Sequence, residues 1–258
     1  MTEEGNAVLY STEGAVARIT LNRPQKKNAL NDALIAGIGE KLREAGALAD
    51  MKVVLITGAG ADFCSGADLS ALQKISGASI GENASDARNL MELFALMRQI
   101  RIPVVAAVRG RALAGGCGLA SAADIVLAEE SARFGYPEVK IGFVPAMVAT
   151  ILRRNVSEKQ AFELLTRGSE ISAQRAYEIG LVNQVFAEED FDTEVSAYLA
   201  GFEKMSQSAV ALTKSLLYQI DGMSFGEALE AGVDANVIAR MTEDCQRGVA
   251  RFLKKDNS

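Results

Sequence analysis

Short runs of apolar residues alternate with longer segments whose apolar residues recur every three or four positions, as far as residue 186 of the chain. The short runs are typical of buried strands, and the longer periodicity is typical of helices that pack on one face. Strands are predicted at residues 16–21, 53–57, 104–108, 125–127 and 182–186, and helices at 32–48, 87–99 and 116–122. This alternation predicts an α/β fold.

Beyond residue 186 the strand pattern ends and helical periodicity continues through residues 195–204, 210–219 and 225–255. Two helix starts carry capping residues, because Asn31 precedes the first helix and Ser157, with Gln160, precedes an apolar segment at 161–165. The Gly/Ser-rich segment 70–85 is predicted to be a mobile loop that gates a pocket or simply connects two elements.

Two glycine turns each follow a predicted strand. The first is Phe63-Cys64-Ser65-Gly66-Ala67-Asp68, and the second is Ala112-Leu113-Ala114-Gly115-Gly116-Cys117-Gly118-Leu119-Ala120, which opens a helix. Glycine has no Cβ to block a ligand, and the first N–H groups of a helix are unpaired at the positive end of its dipole. Such N–H groups suit an oxygen that becomes negative, although a short glycine motif alone is equally typical of a tight structural turn.

Composition narrows the function classes. The chain has 258 residues, 49% of them hydrophobic, and a net charge of −6, which indicates a globular protein with enough sequence for a substantial core. The negative net charge provides no basic surface of the kind that binds nucleic acid. The N-terminus lacks the pattern of a signal peptide, and the apolar stretches are too short to span a bilayer. The predicted location is therefore cytoplasmic, without a membrane or nucleic-acid partner.

The chain contains no histidine and three cysteines. The absence of histidine excludes Ser-His-Asp and Cys-His catalysis and every histidine-based metal site. Cys64, Cys117 and Cys245 are odd in number and widely spaced, which argues against a disulfide framework or a CxxC metal site. We expect structural thiols and no bound metal.

Taken together, the ordered motifs resemble the crotonase (enoyl-CoA hydratase/isomerase) superfamily from Val16 to Lys255. The matching segments are residues 21–24, 28–30, 55–58, 63–68, 103–110, 115–120, 123–125, 134–138, 180–182 and 252–255. The resemblance implies an α/β fold with a crotonase (ClpP-like) spiral of ββα units over residues 1–190, which bind coenzyme A and carry the catalytic site. It also implies a helical oligomerisation region over residues 191–258, in a homotrimer or a dimer of trimers.

The resemblance also implies a catalytic site. The backbone N–H groups of Ala67 and Gly115 match the family's oxyanion hole, which binds a thioester oxygen as it gains charge. Glu138 matches a glutamate that acts as acid and base, and burial beside Phe134, Phe143 and Val144 is expected to raise its pKa. Without the resemblance, a single glutamate at residue 138 is more typical of a surface or salt-bridged position.

Gly118 departs from the family pattern, because two-glutamate hydratases carry their other, water-orienting glutamate at this position. The overall motif set nevertheless favours hydration of a 2-enoyl-CoA. The alternatives are Δ3,Δ2-enoyl-CoA isomerisation, which needs one carboxylate, and a hydratase or decarboxylase of a branched dicarboxylic enoyl-CoA. A different class of alternative is a catalytically silent acyl-CoA-binding or assembly protein.

In every enzymatic alternative, coenzyme A is part of the acyl-CoA substrate, and no separate cofactor is expected. Asp68 is expected to hold the turn and the adenine, or else to be an Asx-type turn residue. Lys27 is a further candidate for the phosphates, although a Gln-Lys-Lys-Asn cluster is also typical of a solvated turn. The resemblance assigns CoA binding to Lys26, Asn28, Ala29, Ser65, Asp68 and Leu69 and, from the C-terminal helix of a neighbouring subunit, Phe252 and Lys255.

Overall fold

The computed structural model describes residues 7–255, and the side chains of Leu69, Leu72, Ser76 and Lys255 lie outside that description. The larger of two sheets contains, in spatial order, β1 (Val8–Glu13), β2 (Val16–Leu21), β3 (Val53–Gly58), β4 (Val104–Val108), β6 (Ile125–Glu129) and β9 (Gln184–Phe186). The smaller sheet contains β5 (Arg111–Leu113), β7 (Arg133–Gly135) and β8 (Glu170–Ser172). The hairpin of β1 and β2 is antiparallel, and every later pair in the larger sheet is parallel.

Helices connect and cover these strands. They are α1 (Asp32–Ala47), α2 (Leu69–Gly77), α3 (Ile80–Gln99), α4 (Gly115–Ala122), α5 (Ala146–Asn155), α6 (Glu158–Arg167), α7 (Ala173–Glu178), α8 (Phe191–Ala200), α9 (Gln207–Gln219), α10 (Phe225–Met241) and α11 (Glu243–Lys255). Within residues 7–255, none of these helices combines the length and the apolar character that crossing a bilayer requires.

Both faces of the larger sheet are covered, which explains why its strands read as continuous apolar runs. In β3, Val54 and Ile56 belong to the main core with α1 and α3, whereas Val53 and Leu55 point to the opposite face. That second face is covered by α8 through three buried residues, Phe191, Val195 and Leu199. The α/β class predicted from the sequence is confirmed.

A buried ion pair joins α9 to the core. The ammonium of Lys214 donates to Asp124 Oδ2 at 2.7 Å and to the carbonyls of Met97 and Ile102 at 2.8 and 3.0 Å. The hydroxyl of Tyr218 donates to the other oxygen of Asp124 at 2.6 Å. Burial lowers the pKa of Lys214, and Asp124 opposes that shift. Three acceptors around one buried ammonium hold this helix in one position on the sheet.

The prediction of a mobile loop over residues 70–85 is wrong, because this segment lies in α2 and the first turns of α3. Asp68 caps α2 by accepting a hydrogen bond from the N–H of Ser70 at 3.0 Å. Ser79 and Glu82 form a reciprocal capping box that starts α3. Side-chain capping thus offsets the low helix propensity of the glycines and serines in this segment.

Candidate active site

The two glycine turns meet at one edge of the larger sheet. Because β3 and β4 are parallel neighbours, the chain leaves both strands at the same edge. The N–H of Cys64 donates to the carbonyl of Arg111 at 3.0 Å, and the N–H of Leu113 donates to the carbonyl of Cys64 at 2.9 Å. A Cβ at Gly116 would overlap the carbonyl oxygen of Cys64. The absence of a side chain at Gly116 therefore permits this close packing.

Ala67 and Gly115 are brought together by this packing. Gly66 precedes Ala67, and Ala114 precedes Gly115. These two preceding residues are in close contact, since a Cβ built on Gly66 would lie 2.8 Å from the Cβ of Ala114. Ala67 is exposed, and Gly115 is half-buried at the first position of α4. In the part of the chain that the structure describes, no hydrogen bond from either N–H group is found. Both groups are therefore available to donate to a ligand.

Ala114 holds a backbone conformation that favours glycine. Its φ of 51° and ψ of −127° place an L-residue with a Cβ in a strained region, immediately before the N–H of Gly115. Its N–H donates to the carbonyl of Gly135 at 2.8 Å, and its carbonyl accepts from the N–H of Gly118 at 2.9 Å. These two bonds fix the peptide that presents Gly115.

Ala114→Gly is expected to raise the free energy of unfolding by about 1 kcal/mol, because relief of backbone strain exceeds the entropy cost of glycine. The measurement is the urea midpoint of the variant against wild type. Ala120→Gly, in the same helix with ordinary helical backbone, is the matched control and should lose about 1 kcal/mol. Equal destabilisation by both substitutions would contradict the strain at Ala114.

Glu138 lies in a 3₁₀ turn, Pro137–Ile141, between β7 and α5. The residue is half-buried, and its Oε2 atom is buried with no hydrogen-bond partner within the described residues. Burial raises its pKa, as predicted, although Phe143 and Val144 are exposed, which corrects their expected part in that burial. The carboxylate raises the pKa of Cys117 on α4, so the two groups are within electrostatic range. A buried carboxylate oxygen without a partner is typical of a functional site.

Gly118 faces an apolar wall. A Cβ at this position would overlap Cγ1 of Val148, from α5, and would lie 3.2 Å from Cζ of Phe94, from α3. Valine is stiff at χ1 and cannot simply swing away. The space that a side chain at residue 118 would need is therefore already filled.

Asp68 and Asn28 are used to build the first turn. Burial opposes ionisation of Asp68, but hydrogen bonds from Arg23 Nη2 at 2.6 Å and from Ser70 outweigh it and lower its pKa. Asn28, fully buried, accepts from the N–H of Arg23 at 2.8 Å and donates to the carbonyls of Ala59 and Asp62. The turn-holding part predicted for Asp68 is observed. The sequence did not predict Arg23 as the partner of Asp68, because nothing near an arginine that follows a strand indicates a contact with a residue 45 positions away.

The remaining CoA candidates lie on the segment 26–29, on the first glycine turn and on α11. The segment that contains Lys26 and Ala29 lies against the first turn, since the N–H of Ser65 donates to the carbonyl of Lys27 at 3.0 Å. The ammonium-bearing residues Lys26 and Lys27 are exposed. The side chain of Leu69 lies outside the described residues, as does that of Lys255. Phe252 is exposed on α11, which packs against α9 and α10.

Two cysteines lie inside the site and are inert. Burial raises the pKa of Cys64 to about 12 and that of Cys117 to about 11, so both stay protonated at neutral pH. The side chain of Cys64 lies in the contact between the turns, where a Cβ at Gly116 would come within 2.6 Å of its Sγ. Among residues 7–255, no three histidine, cysteine, aspartate or glutamate side chains gather as a metal site would require.

The chain is similar to known proteins both in sequence and in structure. A family model described as enoyl-CoA hydratase/isomerase matches residues 11–258. A protein of Thermus thermophilus named "Putative enoyl-CoA hydratase" is 37% identical over 94% of this chain and 96% of its own. The 2,3-dehydroadipyl-CoA hydratase of Escherichia coli is 33% identical over 96% of both chains. The crystal structure of an enoyl-CoA hydratase from Mycobacterium smegmatis has a TM-score of 0.92 at 30% identity and covers 96% of both chains.

Proposed function

The chain belongs to the enoyl-CoA hydratase/isomerase family of enzymes, and from this premise we propose that it moves protons on the acyl chain of an enoyl-CoA thioester. Glu138 takes and returns the proton. The backbone N–H groups of Ala67 and Gly115 hold the thioester oxygen. The observation that carries the proposal is that, within the described residues, two N–H groups on adjoining glycine turns and one buried carboxylate oxygen have no hydrogen-bond partner. The segment of that carboxylate is attached to the second turn, because the carbonyl of Gly135 accepts from the N–H of Ala114 at 2.8 Å.

The two N–H groups supply the electrostatic part of catalysis. Removing a proton next to a thioester moves an electron pair onto its carbonyl oxygen and forms an enolate. Donors that are already oriented toward this oxygen stabilise the charge without reorganisation, and one such donor contributes about 3 kcal/mol in acyl-transfer enzymes. The positive end of the α4 dipole acts in the same direction at Gly115.

Double-bond isomerisation is the reaction that this geometry supports best. Glu138 would take a proton from C2 of a 3-enoyl-CoA, the electron pair would move to the thioester oxygen, and the same carboxyl would return the proton to C4. This sequence needs one carboxylate and no water. Gly118 supplies no second carboxylate, and Val148 with Phe94 fills the adjacent space with hydrocarbon.

Hydration of a 2-enoyl-CoA is the second candidate, and the names of the Thermus and E. coli relatives favour it. In that reaction Glu138 would both orient the water and deliver the proton to C2. A single carboxyl can serve both steps only if water reaches it in the bound complex. The apolar wall beside Gly118 opposes this entry.

Side-by-side assays with 3-hexenoyl-CoA and crotonyl-CoA test the proposal. Isomerisation forms a conjugated enoyl thioester and raises its ultraviolet absorbance, whereas hydration of crotonyl-CoA removes that absorbance. We expect 3-hexenoyl-CoA to be the better substrate by kcat/KM. Faster hydration would replace isomerisation with the second candidate. Binding of CoA without turnover of either substrate would instead support an acyl-CoA-binding protein.

The CoA moiety of the bound substrate is proposed to lie along the segment 26–29. This segment is bonded to the first glycine turn, because the N–H of Ser65 donates to the carbonyl of Lys27 at 3.0 Å. The next residue, Leu30, adds a second bond, since its N–H donates to the carbonyl of Gly66 at 2.7 Å. The exposed ammonium groups of Lys26 and Lys27 would meet the phosphates. Phe252 and Lys255 would reach the CoA of a neighbouring subunit. A cytoplasmic location stays a prediction.

Self-association through the C-terminal helices, as a trimer or dimer of trimers, is also proposed. Along α10 an exposed apolar residue recurs at every fourth position, so the residues form one stripe on the helix: Phe225, Leu229, Val233, Val237 and Met241. An uncovered apolar surface of this extent is typical of an interface.

Leu229→Glu combined with Val233→Glu is expected to shift the protein from oligomer to monomer, because two charges would be buried at the centre of the stripe. Sedimentation velocity at micromolar concentration measures the change. Tyr177→Glu, at an exposed aromatic on α7, is the control that should leave the assembly intact. An unchanged sedimentation coefficient in the double variant would exclude this stripe as the interface.

A further inference from the structure

Tyr136 joins the two halves of the site. It is completely buried, and its hydroxyl lies 2.9 Å from the hydroxyl of Ser121 on α4. Ser121 Oγ donates to the carbonyl of Cys117 at 2.6 Å. Since the Ser121 proton is used in that bond, Tyr136 is the donor in the pair. The hydrogen-bond chain thus runs from the segment of Glu138 into the helix that begins at Gly115.

Both ends of this connection are held. The backbone carbonyl of Ser121 accepts from Nδ2 of Asn155 on α5 at 2.8 Å, which fixes the acceptor side. On the donor side, Tyr136 is separated from Glu138 only by Pro137, whose ring restricts φ and stiffens the link. The anchored tyrosine therefore lies two residues from Glu138, across one restricted backbone angle.

A second tie lies just before Tyr136. The N–H of Ala114 donates to the carbonyl of Gly135 at 2.8 Å, next to the N–H of Gly115. The segment 135–138 is thereby attached to α4 at two points, one by backbone and one by the Tyr136 hydroxyl. Two attachments prevent rotation of the segment about either one. Burial also keeps the hydroxyl protonated by raising its pKa well above the ordinary value, so that it remains a donor.

We propose that Tyr136 is a positioning residue that sets the placement of Glu138 relative to the oxyanion hole of Ala67 and Gly115. The inference rests on the proposed function. It acts through Glu138, because the buried Tyr136 hydroxyl is already bonded to Ser121. Proton transfer is sensitive to small displacements between the base and the bound carbon, whereas substrate affinity depends mainly on the CoA contacts.

Tyr136→Phe is expected to lower kcat about tenfold while KM for 3-hexenoyl-CoA stays within about twofold. Tyr218→Phe is the matched control, since it also removes a bonded hydroxyl, the one donated to Asp124 beneath α9. The control should lose comparable thermal stability and keep kcat. In a Glu138→Gln background, Tyr136→Phe should cause no further loss, because its effect passes through the carboxyl.

Ser121→Ala removes the same hydrogen bond from the acceptor side and replaces Tyr136→Phe if that variant does not fold. An unchanged kcat in an active enzyme, or an equal loss in Tyr218→Phe, would overturn the positioning role and leave the proposed function standing. An additive loss in the Glu138→Gln background would also overturn it. Failure of the wild-type protein to convert either 3-hexenoyl-CoA or crotonyl-CoA would overturn the proposed function and, with it, any role of Tyr136 in that function.

Discussion

Glu138→Gln is expected to lower turnover by at least about a hundredfold, because general acid–base groups contribute at least that much to a proton-transfer step. The amide has nearly the shape of the carboxyl but cannot take the proton from the acyl chain. CoA binding should persist, since the proposed CoA contacts lie on the segments 26–29 and 65–69. Steady-state rates with 3-hexenoyl-CoA and calorimetric titration with CoA measure the two effects.

A measurement of thermal stability shows whether Glu138→Gln loses activity through lost catalysis or through unfolding. Burial disfavours the charged form of Glu138 and raises its pKa. The stability tied to a raised pKa is complete below the pKa of the unfolded chain and is lost as the pH rises through the folded pKa. Glutamine does not ionise and escapes this loss. At neutral pH the variant should therefore have a Tm equal to or above that of wild type, and the difference should fade in acid.

Glu130→Gln is the matched control for this experiment, because Glu130 is exposed on the loop after β6. Its turnover should equal that of wild type. The pH profile gives a further check, since the acid limb of kcat/KM should lie above the ordinary glutamate pKa of about 4.3. A folded Glu138→Gln enzyme with wild-type turnover would remove Glu138 from the mechanism.

Gly118→Glu is expected to destabilise the protein by about 3 kcal/mol or more, through overpacking and through burial of a charge. From the sequence, this substitution would supply a water-orienting carboxylate and raise hydration of crotonyl-CoA relative to isomerisation. The structure changes that expectation, because Val148 and Phe94 already occupy the space beside Gly118. Urea unfolding of the single variant measures the cost.

Shortening Val148 tests the same contact from the other side. Val148→Ala removes the methyl groups that a side chain at residue 118 would meet, so the double variant Gly118→Glu with Val148→Ala should recover part of the lost stability. Only in this double variant do we expect hydration to rise relative to isomerisation. The single variant Val148→Ala is the control, because it measures the stability that is lost through the cavity alone. A single Gly118→Glu variant as stable as wild type would show that the wall yields more easily than its packing indicates.

Local signals in the sequence determined a large part of the fold. The apolar run of β4 spans the predicted residues, and α1 begins at the predicted cap, where Asn31 accepts from the N–H of Leu34 at 2.9 Å. Periodicity and capping depend on neighbours within a few residues, which any sequence displays. The short strands β5, β7 and β8 contain three residues each, which is too few to establish a period.

The sequence by itself also determined the two glycine turns, the position of Glu138 and the absence of a carboxylate at residue 118. Only the tertiary structure decided that Val148 fills the space beside Gly118, that Ala114 is strained, and that the Tyr136 hydroxyl is bonded to Ser121. The physical reason is that these contacts join elements that are distant along the chain or whose approach is set by the packing of helices on the sheet. Composition and periodicity describe what each segment prefers, whereas the distances within the site arise only when the segments share one core.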